Sequence, residues 1–354
     1  MIIHSRFKDY TVHKENSLDF LYGLCKTENA EFVIDEKVYG LYEKYFSEIP
    51  ADRLYKVEAT EEHKVVDTAL AICERMTEIP AKRNAKLISV GGGIIQDITG
   101  FVANILYRGI AWTFVPTTLL ASCDSCIGGK TSLNYKKFKN LLGTFYPPDD
   151  IHICPAFFGT LSERDFESGL GEVVKFNIMA GGAGLDNIEK NIDLLLERDY
   201  NCLQRFVESS LSFKKDFIEQ DEFDRGERIK LNFAHTFGHA IETVTKYEIP
   251  HGTAVAIGMI MADYISVERG LLSPDTASRA EKVLLKVIHI GVDLGKYSLD
   301  SFIEAIRKDK KQTNTSLTAV LMTDTAKDLK IVNDIKESDV AGALAHFRKV
   351  YANG

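Results

Sequence analysis

"AKLISVGGGIIQD", residues 85–97, decides how the first half of the chain folds. The apolar run at its start predicts a buried strand, and apolar spacing over 95–105 predicts a helix directly after it. The three glycines between them let backbone amides approach a phosphate, which a helix N-terminus would favour further. The run is not the GxGxxG fingerprint, so locally a tight strand-to-helix turn explains it as well as nucleotide binding does. Working outward, "AEFVID" (30–35), "RLYKVEA" (53–59) and "AWTFVP" (111–116) read as further buried strands. Helical spacing lies between them at 38–47 and 62–79. Strands alternating with helices imply a parallel sheet flanked by helices. The acidic "IDEK" ending the first of these strands suits either a ribose or a helix cap.

After "YPPDD" (146–150) the texture changes. Segments 163–180, 185–197, 201–220, 226–246, 252–269, 275–289 and 299–308 are mostly helical in pattern. A short strand pair at "LTAVLMT" and "LKIVND" and a last helix over 336–352 follow. A boundary is therefore expected near residue 150, with an α/β domain before it and a mainly helical one after.

A chain of 354 residues accommodates two domains, each with its own core. A net charge of -8 with 45% hydrophobic residues is an ordinary globular balance, and it excludes a nucleic-acid-binding or disordered protein. The N-terminus lacks a signal-peptide pattern, and no apolar run approaches the roughly 20 residues that span a bilayer. A cytoplasmic protein without membrane contact is expected. Of six cysteines only Cys123 and Cys126 form a CxxC, and no second pair accompanies it as a structural zinc site would require. The two thiols read as small side chains filling a core.

In "LNFAHTFGHAIE" (231–242), His235 and His239 are four apart and share one helical face, where two imidazoles can converge on a metal. Asn232, three residues before His235, joins that face. His251 follows in "IPHGTAVAIGM", so three of the nine histidines fall within 17 residues. A carboxylate ligand must come from elsewhere, and "SGLGEVVKF" (168–176) offers Glu172 with Lys175 one turn on, flanked by apolar residues. Arg108, Lys130, Lys214, Arg228 and one of Lys310 and Lys311 are scattered cations that, taken singly, read as surface charges.

Taken in order, "GGGIIQDITGFVA", "YRG", "VPTTLLASCDSCIGGKTSLN", "KNLLGTFYPP", "TLSERDFESGLGEVVK", "LNFAHTFGHAIE" and "HGTAVAIGM" resemble the motifs of 3-dehydroquinate synthase and the wider sugar phosphate cyclases, from about residue 30 to 345. The resemblance implies an α/β, Rossmann-like dinucleotide-binding domain over 1–150. It implies a mainly α-helical domain over 151–354 that binds metal and substrate. It implies NAD and zinc, with cobalt as the alternative metal, a phosphorylated small-molecule substrate and a homodimer. Glu172, His235 and His251 match the metal ligands. His239 matches a histidine that bonds substrate or assists proton transfer, so the helix-face argument counts one ligand too many. Substrate positions match at Arg108, Asp124, Lys130, Asn140, Lys175, Lys214, Arg228, Asn232 and one of Lys310 and Lys311. Dinucleotide positions match at Asp35, Glu61, Lys64, Gly92, Gly93, Asp97, Thr117, Thr118, Lys139 and Thr160. Asp224, His239, Lys175 and Lys130 take the catalytic roles, with Lys130 and Asn140 posing the phosphate so that its own oxygen helps take the proton.

The implied reaction oxidises a ring hydroxyl of 3-deoxy-D-arabino-heptulosonate 7-phosphate with NAD, eliminates phosphate, returns the hydride, opens the ring and closes a carbocycle by an aldol step. Four departures stand out: Asp224 replaces the usual proton-accepting glutamate, Gln96 and Thr60 replace common glycines, and Thr253 replaces the glutamate after Gly252. Arg228 and Asn232 are both kept, which favours a carboxylated substrate. Alternatives are a cyclase of secondary metabolism with a related, for example amino, substrate; a metal-dependent alcohol or glycerol dehydrogenase; and a degenerate binding protein.

Overall fold

The computed structural model describes residues 1–80, 82–288, 291, 293–308 and 317–353. The chain divides into two compact units, Met1–Leu161 and Ser162–Gly354.

The first unit runs β1 (Ile2–Ile3), β2 (Tyr10–Lys14), α1 (Phe20–Leu24), β3 (Ala30–Asp35), α2 (Glu36–Phe46), β4 (Leu54–Val57), α3 (Val66–Glu78), β5 (Lys86–Gly91), α4 (Gly93–Ile105), β6 (Ala111–Pro116), β7 (Lys130–Tyr135), β8 (Phe138–Phe145) and β9 (Asp150–Ile153). Seven strands form one sheet in the order β1-β2-β9-β6-β5-β3-β4, parallel except for the edge pair β1–β2. The middle strands β3 and β5 are buried almost throughout, as strands with covered faces must be. From β3 the chain steps outward to β4, then crosses back to place β5 on the other side of β3. Ligands of open α/β sheets bind outside the strand ends at such a reversal, and here those ends are Asp35 and Gly91.

Because β9 completes this sheet between β2 and β6, the division falls after Leu161 and not at residue 150. The antiparallel hairpin β7–β8 lies in a segment that carried no strand expectation. Cys123 and Cys126 are buried around a one-turn π-helix, Ala121–Ser125, with their Sγ atoms toward the carbonyls of Leu120 and Ser122.

The second unit contains α5 (Glu163–Met179), α6 (Gly182–Leu196), α7 (Tyr200–Gln220), α8 (His235–Val244), α9 (His251–Glu268), α10 (Pro274–Val287), α11 (Leu299–Lys308), the antiparallel pair β10 (Leu317–Leu321) and β11 (Lys330–Ile335), and α12 (Glu337–Asn353). Capping side chains set several starts: Ser162 accepts from Asp165 N, Asp199 from Cys202 N and Ser273 from Thr276 N. Helix α9 is apolar all round and buried along most of its length, with α5, α8, α10 and α12 packed against it. No helix among the described residues is long and apolar enough to cross a membrane.

Two backbone approaches set this packing. A Cβ on Gly171 of α5 would overlap the backbone of Gly252 in α9, and a Cβ on Gly252 would overlap the carbonyl oxygens of Glu167 and Ser168. Likewise a Cβ on Gly258 would overlap Ala234 O and lie 2.9 Å from Gly238 N. The second approach breaks the helix expected over 226–246. A 3-10 turn (Glu227–Asn232) ends at Phe233, Ala234 takes φ +69, and only then does α8 begin. Asn232 therefore does not lie on the helical face of His235 and His239.

Gly252→Ala should lower stability by about 1–3 kcal/mol, the usual cost of forcing atoms into a filled core. Gly40→Ala, where a Cβ meets open space within α2, should raise it by roughly 0.5–1 kcal/mol. Urea midpoints of the two variants moving in opposite directions would be the expected result.

Candidate functional site

Glu172 and His251 each adjoin one of the two glycines of the α5–α9 crossing, so that contact places them side by side. The Nε2 atoms of His235 and His251 lie 3.2 and 3.3 Å from the same oxygen, Glu172 Oε1. Donor atoms bound at about 2.0–2.2 Å around a tetrahedral zinc sit roughly 3.3 Å apart, so this trio has the spacing of a ligand set. Lys175 Nζ lies 2.5 Å from the other oxygen, Oε2, and donates to Leu231 O at 3.1 Å. Glu172 and Lys175 are both buried, not the solvated pair that their spacing alone would suggest.

His239, Glu242 and His251 form a second group of potential ligands. The orientation of His251 separates the two groups. Its Nε2 faces Glu172, while its Nδ1 lies 3.2 Å from Glu242 Oε1. A carboxylate on the far nitrogen of a ligating imidazole is the usual outer support of a metal site. His235 is anchored in the same way, with Nδ1 3.0 Å from Phe233 O. The ring of His239 lies 5.3 Å from that of His235, leaving it beside the trio. Glu242 was not among the sequence-derived candidates. Its signal was present: it stands seven residues after His235 and three after His239, on the same helical face.

The charges of the cluster are interdependent. Burial opposes ionising Glu172, yet Lys175, His235 and His251 outweigh it and hold its carboxyl well below the usual range. Glu242 is lowered too, burial again being overcome, chiefly by His251. Burial disfavours a charged His251, but Glu172 and Glu242 push its pKa up to about 10.

Arg228 is buried, and its Nη1 donates to Glu222 O at 2.5 Å. The loop that carries it is built on Asp221, a residue the sequence reading passed over. The carboxylate of Asp221 accepts the backbone amides of Arg225, Gly226 and Arg228 at 3.0, 2.7 and 3.1 Å. Those amides keep it ionised at lower pH than burial alone would allow. Asp224 stands in this loop at φ +58, a strained conformation of the kind that clusters at functional sites. Lys214 is buried on α7, and Asn232 closes the 3-10 turn.

In the first unit, five candidates join one network of hydrogen bonds and ion pairs. Lys64 pairs with Asp97 and donates to Asn140 Oδ1 at 2.7 Å. Ser132 bonds both Asp97 and Asn140, through N and Oγ. Asn134 accepts the Asn140 amide at 2.9 Å and donates to Glu61 Oε2 at 2.7 Å, and Lys139 stands 4.0 Å from Glu61. Burial raises the Asp97 carboxyl, against the pull of Lys64.

Gly92 is the N-cap of α4, and a Cβ there would lie 3.0 Å from Thr118 Cγ2. The helix N-terminus and this tight, side-chain-free surface at the sheet reversal fit a dinucleotide phosphate. Gly93 follows, and Thr117 N bonds Gly91 O at 2.9 Å. Gln96, at a position where a glycine was noted as common, exchanges hydrogen bonds with Ser125 and so steadies the π-turn that bears Asp124.

Other candidates stand apart from these networks. The carboxyl of Asp35 accepts Lys37 N at 2.9 Å as the cap of α2, and Thr160 bonds Tyr42 at 2.8 Å. Lys130 is exposed at the start of β7. Arg108 is also exposed, within three successive positive-φ residues: Tyr107 (52), Arg108 (69) and Gly109 (116). Lys310 and Lys311 lie outside the described residues.

The chain matches the family model for the 3-dehydroquinate synthase N-terminal region over residues 54–168 and that for the C-terminal region over 169–312. It is 37% identical to a 3-dehydroquinate synthase of Dictyoglomus thermophilum over 328 residues, covering 92% of this chain and 91% of the relative. It is 36% identical to one of Clostridium tetani over 348 residues, covering 95% and 91%. Among solved structures it resembles 2-epi-5-epi-valiolone synthase of Streptomyces hygroscopicus, determined with NAD+ and Zn2+ bound. That TM-score is 0.84 at 25% identity, covering 98% of this chain and 99% of the other.

Glu242→Gln should weaken zinc binding about 10–100-fold, read by competition with a chromogenic chelator. In EDTA-treated protein, the raised pKa of His251 makes its contribution to stability complete below pH 6.5 and lost as pH climbs toward about 10. The lowered carboxyls of Glu172 and Glu242 act oppositely, contributing above their ordinary 4.5 and failing as pH falls. Urea midpoints should therefore peak between those limits, and His251→Asn should flatten the alkaline decline.

Proposed function

The chain belongs to the 3-dehydroquinate synthase family, and on that premise we propose that it converts 3-deoxy-D-arabino-heptulosonate 7-phosphate to 3-dehydroquinate and phosphate, with NAD and a divalent metal as resident cofactors. The observation that carries the reading is the convergence of His235 and His251 on Glu172 beside buried Lys175. Zinc held there by Glu172, His235 and His251 would supply Lewis-acid polarisation of a hydroxyl, and NAD would supply a reversible hydride acceptor.

This chain's own residues supply the rest of the proposal. Glu172, His235 and His251 hold the metal, and Glu242 fixes the ring of His251. Lys175, in a pocket of low dielectric, presents a cation beside the reacting oxygen while neutralising Glu172. His239, one turn beyond His235, bonds the substrate or relays its proton. Arg228 binds the substrate carboxylate, for which a planar guanidinium is suited, and Asn232 and Lys214 bond neighbouring oxygens. Arg108, Lys130 and Asn140 bind the phosphate. Asp124 and one of Lys310 and Lys311 complete the substrate set, and Asp224 takes the proton-accepting place. The dinucleotide is assigned to Gly92 and Gly93 at the α4 N-terminus, with Asp35, Glu61, Lys64, Asp97, Thr117, Thr118, Lys139 and Thr160 around it. A homodimer in the cytoplasm is part of the same reading.

Asp224 favours one second reading. Its shorter side chain moves the carboxylate by about 1 Å, enough to change rate substantially, and would suit a related substrate such as the amino analogue.

With NAD and zinc supplied, the seven-carbon substrate should release phosphate and dehydroquinate in equal amounts without lasting NADH absorbance. Net NADH accumulation would instead mark a dehydrogenase, and phosphate release from the amino analogue alone would select the second reading. Arg228→Ala should raise KM about 10–100-fold, as loss of a charged hydrogen bond does. An unchanged KM would remove the carboxylate assignment.

A further inference from the structure

Helix α9 carries a second polar feature, about 18 Å further along its axis than His251 at roughly 1.5 Å per residue. Asp263 is 3% exposed, and its Oδ1 has no hydrogen-bond partner. A buried, unpartnered carboxyl costs stability wherever it occurs, and this one lines a cleft of about 320 Å³ framed by α9, α10 and α12. That volume is in the range of small-ligand sites.

The other lining groups define what fits. Glu281 of α10 and exposed Glu268 at the end of α9 add two carboxylates. His346 of α12 is already engaged, its Nε2 lying 2.6 Å from Glu281 Oε2. Tyr264 contributes a ring stacked on His346 at 5.0 Å, and Val267 contributes an apolar wall. The excess of carboxylates opposes phosphates and other anions. A bare metal ion is also disfavoured. Among the described residues the only groups with donors close enough to hold one are the two at His251. The remaining fit is an organic cation with an apolar stem, which an aromatic wall also attracts.

We infer that this cleft binds an organic cation, a primary ammonium or guanidinium on a short aliphatic stem, with Asp263 as its buried counter-ion. The cation has two sources with the same chemistry, a diffusible amine or a lysine or arginine side chain of a second copy of this chain. Burial, reinforced by Glu281, raises the carboxyl of Asp263 well above its ordinary range. A cation seated beside it favours the ionised carboxylate against that burial.

The test is calorimetric titration of the full chain, loaded with zinc and NAD, with n-butylguanidinium chloride. Saturable binding is expected, with no binding of neutral n-butanol and none of magnesium at the same cleft. Asp263→Asn should weaken binding about tenfold or more, as removal of a charged partner does. Ser278→Trp, at an exposed position on the rim, should block the cleft without disturbing the core and weaken binding comparably. Sedimentation velocity of the same samples separates the sources. Dissociation of an oligomer by the probe assigns the cation to a second copy, and an unchanged mass assigns a diffusible amine. Absence of saturable binding with no change of mass, equal binding of n-butanol, or binding undiminished in either variant would overturn the inference.

Discussion

The metal cluster depends on one steric fact: α5 and α9 touch through backbone at Gly171 and Gly252. Each glycine adjoins a cluster residue, Glu172 on one helix and His251 on the other. Ordinary helix contacts keep axes 8–10 Å apart, according to the side chains between them. Removing both side chains lets the two backbones meet and brings a carboxylate and an imidazole to 3.3 Å. The approach of α8 to α9 through Gly258 and Ala234 then adds His235 from a third direction.

A site assembled this way concentrates charge where water is scarce. Glu172 alone at zero exposure would be costly to ionise. Lys175 makes it tolerable, being held in place by both the carboxylate and Leu231 O. The same residue pair thus solves a folding problem and equips the site: the carboxylate stays ionised, as a ligand must. The supporting shell extends outward through Glu242 and Phe233 O, which fix the ring orientations of His251 and His235. In the first unit a comparable arrangement surrounds the half-buried Asp97, whose carboxylate pairs with Lys64 from α3's leading loop and accepts from Ser132 of the β7–β8 hairpin, while Asn140 Oδ1 accepts from both of those partners.

Asp263 breaks this pattern. The buried carboxyls of Glu172 and Glu31 have cationic partners within the chain, Lys175 and Arg75, and the half-buried Asp97 has Lys64. Asp263 has none among its bonds, and it faces a cleft. Natural sequences keep local violations mainly where function requires them, which directs attention to the cleft that Asp263 lines.

Local periodicity carried much of this protein into view from sequence alone. The strands at 30–35 and 111–116 read as short apolar runs, and the long helices and the shared face of His235 and His239 repeat at 3.6 residues, so none needs a distant partner to be read. The ordered motifs that flank them pointed to the family, which the relatives bear out. Other features depended on residues far apart. The helix expected over 226–246 breaks at Ala234 because that carbonyl meets Gly258, and β9 joins the first sheet because β2 and β6 leave a place for it. The β7–β8 hairpin and its bonds to Lys64 and Asp97 escaped notice for the same reason. The sequence by itself determined which elements exist and which residue types could do chemistry. Only the tertiary structure decided which of them meet, because a contact between distant backbones is set by the packing of whole elements and leaves no repeat along the chain.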